Sequence, residues 1–168
     1  YVATENNGMT VINTVTDVVI GNIPSPGSGG QSIALNLNGT LAYVSEAFND
    51  LSRVVNTSTI STYTTITGFN QPQGLDLSAD GNFIYAIDRY NNSVKKISTS
   101  SNMVVATLTD ARLNNGWDLM VSTDGVYAFA SVTSPSNANE DVLIINLNTF
   151  TVVGTMSTTT GSRGMGKL

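Results

Sequence analysis

The feature that most constrains this chain is an internal repeat. Reading four residues forward from the glycine of three polar turns reaches Tyr43 in "GTLAYVSE", Tyr85 in "GNFIYAID" and Phe129 in "GVYAFASV". The chain opens on the same element, with Tyr1 in "YVATENN". By subtraction these aromatic anchors lie 42, 42 and 44 residues apart. Self-similarity at that period points to a repeat architecture rather than to a single irregular core.

Other columns keep step with the anchors. Asn13, Asn56, Ser98 and Asn146 each close a strand-like run, "TVIN", "RVVN", "KKIS" and "LIIN". A four-residue turn follows each one: "TVTD", "TSTI", "TSSN" and "LNTF". Then comes a further β-rich run, "VVIGNI", "STYTTIT", "MVVATL" and "TVVGTM", and a Gly/Pro/Asn-rich loop leading to the next "LxL"-like strand. Dense apolar residues in short runs bounded by turn residues mark half-buried or sandwiched strands. In "SADGN", Asp80-Gly81 is expected to supply the positive backbone angles of a tight hairpin. Each unit thus holds four short antiparallel strands. Such a unit recurring about every 42 residues is the signature of β-propeller blades, which stack because one twisted sheet cannot cover both its faces. The expected fold is all-β, a single propeller segment over 1–168 with repeats at 1–42, 43–84, 85–128 and 129–168. Tyr1, Tyr43, Tyr85 and Phe129 are expected to pack in the core.

Three blades are complete on this reading, with inner strands near 31–37, 73–78 and 117–122. Residues 1–23 lack an inner strand of their own, and "RGMGKL" at the other end matches one, so a fourth blade would be split between the termini. The chain begins without Met, a basic leader or an apolar signal-like stretch, and reads as a processed or excised piece. A segment of a larger propeller is the favoured expectation. A closed four-blade ring, or a half pairing with a second copy, is the alternative. An open arc would leave the terminal blades uncapped, a surface for self-association.

The columns "YVSE", "VVNTSTI" and "PQGLDLSADGNFIYAID" resemble the YVTN-type β-propeller repeat, and "QPQGLDLSADGNFIYAIDRYNNSVKKI" also resembles an NHL repeat. The resemblance covers the whole chain as three and a fraction copies. It implies the propeller fold and usually more than four blades. Of function it implies less, because propellers of this kind serve as surface proteins, binding scaffolds and occasionally enzymes. "NNGWDLMVSTDG" and "TSPSNANED" carry extra residues relative to the repeat, and individual function is expected there.

Composition narrows the classes. Ser, Thr and Asn make up about a third of the residues and charged residues only 11%. That balance resembles extracellular or cell-surface β proteins, since Thr and Val suit pleated strands and Asn suits turns. A net charge of −5 without a Lys/Arg cluster argues against nucleic acid as a partner. No apolar run nears the roughly 20 residues of a membrane span. The chain has no Cys and no His. The second absence removes the usual general base at neutral pH and the commonest transition-metal ligand.

No catalytic, metal or cofactor site is expected from the motifs. "PSPGSGG" lacks the Lys-Ser/Thr of a phosphate loop and reads as a linker. Asp76, Asp88 and Asp118 fall in different repeat columns and Asp80 and Asp124 are hairpin residues, so all five read as structural carboxylates, with Asp88 the least explained. Sequons at Asn38, Asn56 and Asn91 are no more than this composition produces by chance. Binding by propellers concentrates on the loops at one end. Here these are the loops before each inner strand and those between second and third strands. Gln31, Gln73, Trp117 and Arg163 share the first column; Phe48, Asp88, Arg89 and Tyr90 belong to the second set, and Arg112 to the first. Trp, Tyr and Arg dominate binding energetics in such positions. The reading is a non-catalytic propeller presenting this face to a protein or glycan partner. The competing class is a propeller lyase or hydrolase, acting through carboxylates here or through residues in blades outside this segment.

Overall fold

The computed structural model describes residues 1–4, 8–24, 29–133, 140–157 and 165. Its described residues form antiparallel sheets of neighbouring strands, each a blade. The first holds β1 (Val2–Thr4), β2 (Gly8–Asn13) and β3 (Val18–Ile23). The second holds β4 (Gly30–Leu35), β5 (Leu41–Glu46), β6 (Leu51–Asn56) and β7 (Ser61–Ile66). The third holds β8 (Pro72–Leu77), β9 (Phe83–Asp88), β10 (Ser93–Ser98) and β11 (Met103–Thr109). The fourth holds β12 (Gly116–Val121), β13 (Tyr127–Thr133), β14 (Glu140–Asn146) and β15 (Thr151–Ser157). Sequential order within each sheet is the meander that hairpin connections dictate. The pairing that would complete the first blade with "RGMGKL" lies outside the described residues, except for Met165.

The repeat columns acquire mechanical roles. Between inner and second strands, Gly39, Gly81 and Gly125 take φ of 69°, 74° and 71°. Only the glycine of the Asp-Gly pair is left-handed; Asp80 is instead an acceptor, taking the Ser78 hydroxyl at 2.6 Å and the Asn82 amide at 3.0 Å. The hairpin is therefore a longer turn than a two-residue one, closed by a side chain. At the other hairpin, Asn13, Asn56 and Asn146 each accept two amides from the turn that follows, for instance Ser58 and Thr59 on Asn56 at 3.0 and 3.1 Å. This is the Asx turn that makes Asn favourable there. The turn then closes on a left-handed residue in every blade: Asp17, Ile60, Asn102 and Phe150.

Those left-handed residues reach the preceding blade. Ile60 packs where a side chain on Gly21 would stand, Asn102 accepts the Tyr43 hydroxyl at 2.7 Å, and the Phe150 ring lies 5.9 Å from that of Tyr85. Blades are thus joined by one contact type repeated three times. Tyr43 and Tyr85 are buried in it, within successive hydrophobic clusters that include Val54, Leu75 and Ile84 in one case and Leu119, Val121 and Leu143 in the other. Phe129 is only half-buried. Tyr1, expected in the core, is 39% exposed. Its hydroxyl meets the Thr57 carbonyl at 3.5 Å, as Tyr43 meets Thr99, but β1 is only three residues long and leaves the ring open to solvent.

Every outer strand also breaks register once, opposite Val11/Ile12, Val54/Val55, Lys96/Ile97 and Ile144/Ile145. The unpaired residues are Ile20, Tyr63, Val105 and Val153, all exposed. A bulge twists an edge strand and spoils it as a template for another strand. None of the helices among the described residues is long and apolar enough to cross a membrane.

Candidate functional site

The two loop sets singled out in the sequence do meet at one end, held by their backbones. After β5 and β9 the chain makes a single 3₁₀ turn, Ala47–Asn49 and Arg89–Asn91, each ending on a left-handed residue, Asp50 or Asn92. The loop before β8 is hydrogen-bonded to the second of these turns: Arg89 N–H donates to the Gln71 carbonyl at 3.3 Å and Tyr90 N–H to Asn70 at 3.1 Å. Asp50 accepts the Gln71 amide at 2.8 Å, tying in the preceding blade. Asn92 accepts the Asp110 amide at 3.1 Å, tying in the loop that precedes β12.

Asp88 does not face this surface. It is fully buried, and its carboxylate accepts the Asn70 amide at 2.6 Å and the Asn91 side-chain amide at 2.8 Å, with Lys95 Nζ at 3.3 Å. The same clip occurs one repeat earlier. Glu46 accepts Asn49 at 2.9 Å and a forked pair of bonds from Arg53 at 2.5 and 2.9 Å. An acid, an Asn three residues on and a cation seven residues on recur 42 residues apart, a signal present in the sequence and visible once the two copies are aligned. Burial explains why an acid ends each strand: its lone pairs close the 3₁₀ turn and neutralise a cation on the next strand.

Arg89, Tyr90 and Trp117 are brought together. The Arg89 guanidinium lies 3.8 Å above the Trp117 ring and 5.2 Å from the centre of Tyr90. Trp117 is the second residue of β12, the inner strand of the fourth blade, and its indole N–H donates to Thr133 Oγ1 at 3.1 Å. The stack therefore bridges two blades. Tyr90 is 50% exposed and Phe48, the equivalent residue of the blade before, 56%. Gln31 is exposed, whereas Gln73 is buried and cannot contact a ligand without rearrangement. Arg112 points to solvent in a fork with Asp110, at 2.9 and 2.6 Å, and holds that carboxyl below its usual range. Arg163 lies outside the described residues.

A second polar locus was not legible as such. Ser32, Ile33, Leu75, Asp76, Asp118, Leu119, Met120 and Met165 line a cavity of about 340 Å³ where inner strands converge. Asp76 accepts the Val121 amide at 2.7 Å and Asp118 the Met165 amide at 2.7 Å, while Ser32 Oγ accepts that of Leu75 at 3.3 Å. For Ser32 and Asp76 a side chain on one inner strand receives the N–H one column further along the next. That stagger brings together two aspartates assigned to separate columns. Burial pushes the Asp118 carboxyl up; its bonds from Met165 and Leu119 oppose this, and the Asp76 charge adds to the rise. Contact is close: a Cβ on Gly74 would collide with the Asp118 carboxylate and backbone, so only glycine fits there. No three Asp, Glu, His or Cys side chains among the described residues form a group that could hold a metal ion. At the opposite end, a cavity of about 350 Å³ opens between Asp80 and Asp124, with Lys96 3.8 Å above the Phe83 ring.

With this geometry in hand, comparison with solved structures decides the architecture. The chain superposes on hydrazine synthase from Kuenenia stuttgartiensis with a TM-score of 0.82 at 21% identity, over 89% of this chain and 42% of that one. The fold is a β-propeller. It is also similar to dihydro-heme d1 dehydrogenase NirN in complex with DHE, with a TM-score of 0.71 at 13% identity, over 90% of this chain and 33% of that one. The propeller chain thus spans less than half the length of either. At these identities the likeness carries the fold alone. No family model and no curated protein sequence matches the chain.

Proposed function

We propose that this propeller is a non-catalytic binding module, working outside the cell or at its surface, with the Arg89–Trp117–Tyr90 end as its ligand face. One observation carries the reading: a guanidinium that lies over Trp117 across two blades and beside the exposed Tyr90 ring, on the end where the equivalent Phe48 of the blade before is also exposed. Rigid aromatics and arginine are the side chains that dominate recognition. The main carboxylates support it from the other side, because Glu46, Asp80, Asp88 and Asp124 are occupied in holding the chain's own amides, hydroxyls and cations. The partner is a protein or glycan. Binding to an immobilised panel of both classes should be lost in the Tyr90→Ala/Trp117→Ala double variant and kept in Lys96→Ala, which alters the opposite end. The reverse pattern would remove the proposal. Self-association through the half-covered face around Phe129 belongs to the same proposal and is read by native mass.

The YVTN or NHL assignment stays a resemblance that this reading favours. A second reading rests on Asp118. A carboxyl raised by burial beside a second aspartate is the arrangement that general acid catalysis uses, and both solved propellers named above are enzymes by name. A lyase or hydrolase of this kind would lose turnover in Asp118→Asn while keeping its fold.

A further inference from the structure

Arg89 differs from the other cations whose surroundings are described. Arg53 is paired with Glu46, Lys95 with Asp88 and Arg112 with Asp110. Lys96, also without an ion pair, lies over Phe83 and Tyr85 at the opposite end. The acid next to Arg89 in sequence, Asp88, is turned inward and already filled by Asn70, Asn91 and Lys95. The Arg89 Nε–H is buried and has no hydrogen-bond partner among the described residues. Stacking uses only the faces of the guanidinium, and with Nε buried the in-plane N–H groups of its two terminal nitrogens are the pair that fits a carboxylate. The ring positions of Trp117 and Tyr90 fix where that pair sits.

Resting on the ligand-face reading above, we propose that Arg89 is the anchor for a carboxylate, and that the ligand is a uronic-acid-bearing glycan. The surroundings choose between carriers. The stack carries one unpaired cation, enough to hold one carboxylate of a ligand at a time. Beside it stand exposed Tyr90 and, hydrogen-bonded to the Tyr90 amide, exposed Asn70, which suit the apolar ring faces and hydroxyls of sugars. A carboxylate carried on a hydroxyl-rich sugar ring fits this set.

Trp117 is the only tryptophan of the chain, so its fluorescence reports on the stack directly. The intact chain is titrated with trigalacturonate, neutral galactotriose and triglutamate, as wild type and as Arg89→Gln. Circular dichroism first shows that the variant is folded, and Arg89→Lys is the fallback where it is not. The inference expects saturable quenching or shift by trigalacturonate, weakened about tenfold or more in Arg89→Gln and by added salt. Galactotriose should give a weak response that the variant does not change. Equal trigalacturonate binding by wild type and variant overturns the inference but leaves the ligand face standing. A response to triglutamate without one to trigalacturonate overturns the glycan. No response to any of the three overturns the anchor, while failure of the ligand-face reading itself is read separately, by panel binding that survives Tyr90→Ala/Trp117→Ala.

Discussion

The second and third blades carry the same clip, Glu46–Asn49–Arg53 and Asp88–Asn91–Lys95, and differ at the residue after the acid. In the second blade that residue is Ala47, which is buried. In the third it is Arg89, whose guanidinium lies over Trp117 of the next blade. The residues that open the following inner strands differ in the same way, buried Gln73 after one and Trp117 after the other. The difference separates two kinds of position. Where the copies agree, the residue holds a blade together. Where they part at one boundary only, the residue is released from that duty and can meet something else.

The clip gives the largest expected effect. Asp88→Ala would strand the Lys95 charge, whose side chain is 12% exposed, and remove the acceptor for the Asn70 amide. Breaking a buried pair by deleting one partner costs about 3–5 kcal/mol. Glu46→Ala should cost a similar amount, since it leaves Arg53 at 15% exposure without its fork. Urea unfolding of both variants checks the equivalence. A loss under about 1 kcal/mol in one and several in the other would mean that the two clips are alike in geometry but not in role.

The aromatic column sharpens the comparison along the chain. Tyr43 is fully buried with its hydroxyl on Asn102, so Tyr43→Ala should cost about 3–5 kcal/mol. Tyr1 occupies the same column with the ring half open, and Tyr1→Ala should cost less than about 1 kcal/mol. The same denaturant series reads both. Similar losses would show that Tyr1 is covered in solution by a surface that the described residues do not supply.

Most of the fold was legible because it is periodic. A glycine in the hairpin, an Asn or Ser before the turn and an aromatic in the second strand are local requirements, and a repeat prints them three or four times. Tyr1 was misjudged because a column records identity but not what covers it. The stack was legible in part: Trp117, Arg89 and Tyr90 stand out as loop residues in the sequence, but nothing in their spacing of 28 and 27 residues announces a stack between blades. Asp88 was misplaced because a polar residue beside a loop reads as exposed until its buried amide partners are seen. Asp76 and Asp118 were separated by counting columns strictly. Neighbouring inner strands are staggered, and the side chain of one serves the next column of the other.

The smallest effect contrasts the central cavity with the hairpins. Burial raises the folded-state carboxyl of Asp118, so its folded form holds its proton to higher pH than its unfolded form. The contribution linked to that shift is complete below the unfolded value, about 4, and is lost as pH rises through the folded value. Hydrogen bonds from Ser78 and Asn82 lower Asp80 instead. Its contribution is present above about 4 and is lost as pH falls through the lowered value. The two groups therefore oppose each other across the acid range. Taking each Asn variant as the reference isolates one carboxyl at a time. As pH falls from 7 to 4, wild type should gain stability relative to Asp118→Asn. Relative to Asp80→Asn it should hold steady to about 4 and lose below it. Slopes of the same sign in both series would show that Asp118 is solvated in the folded chain, and that the inner strands do not close on it as tightly as Gly74 requires.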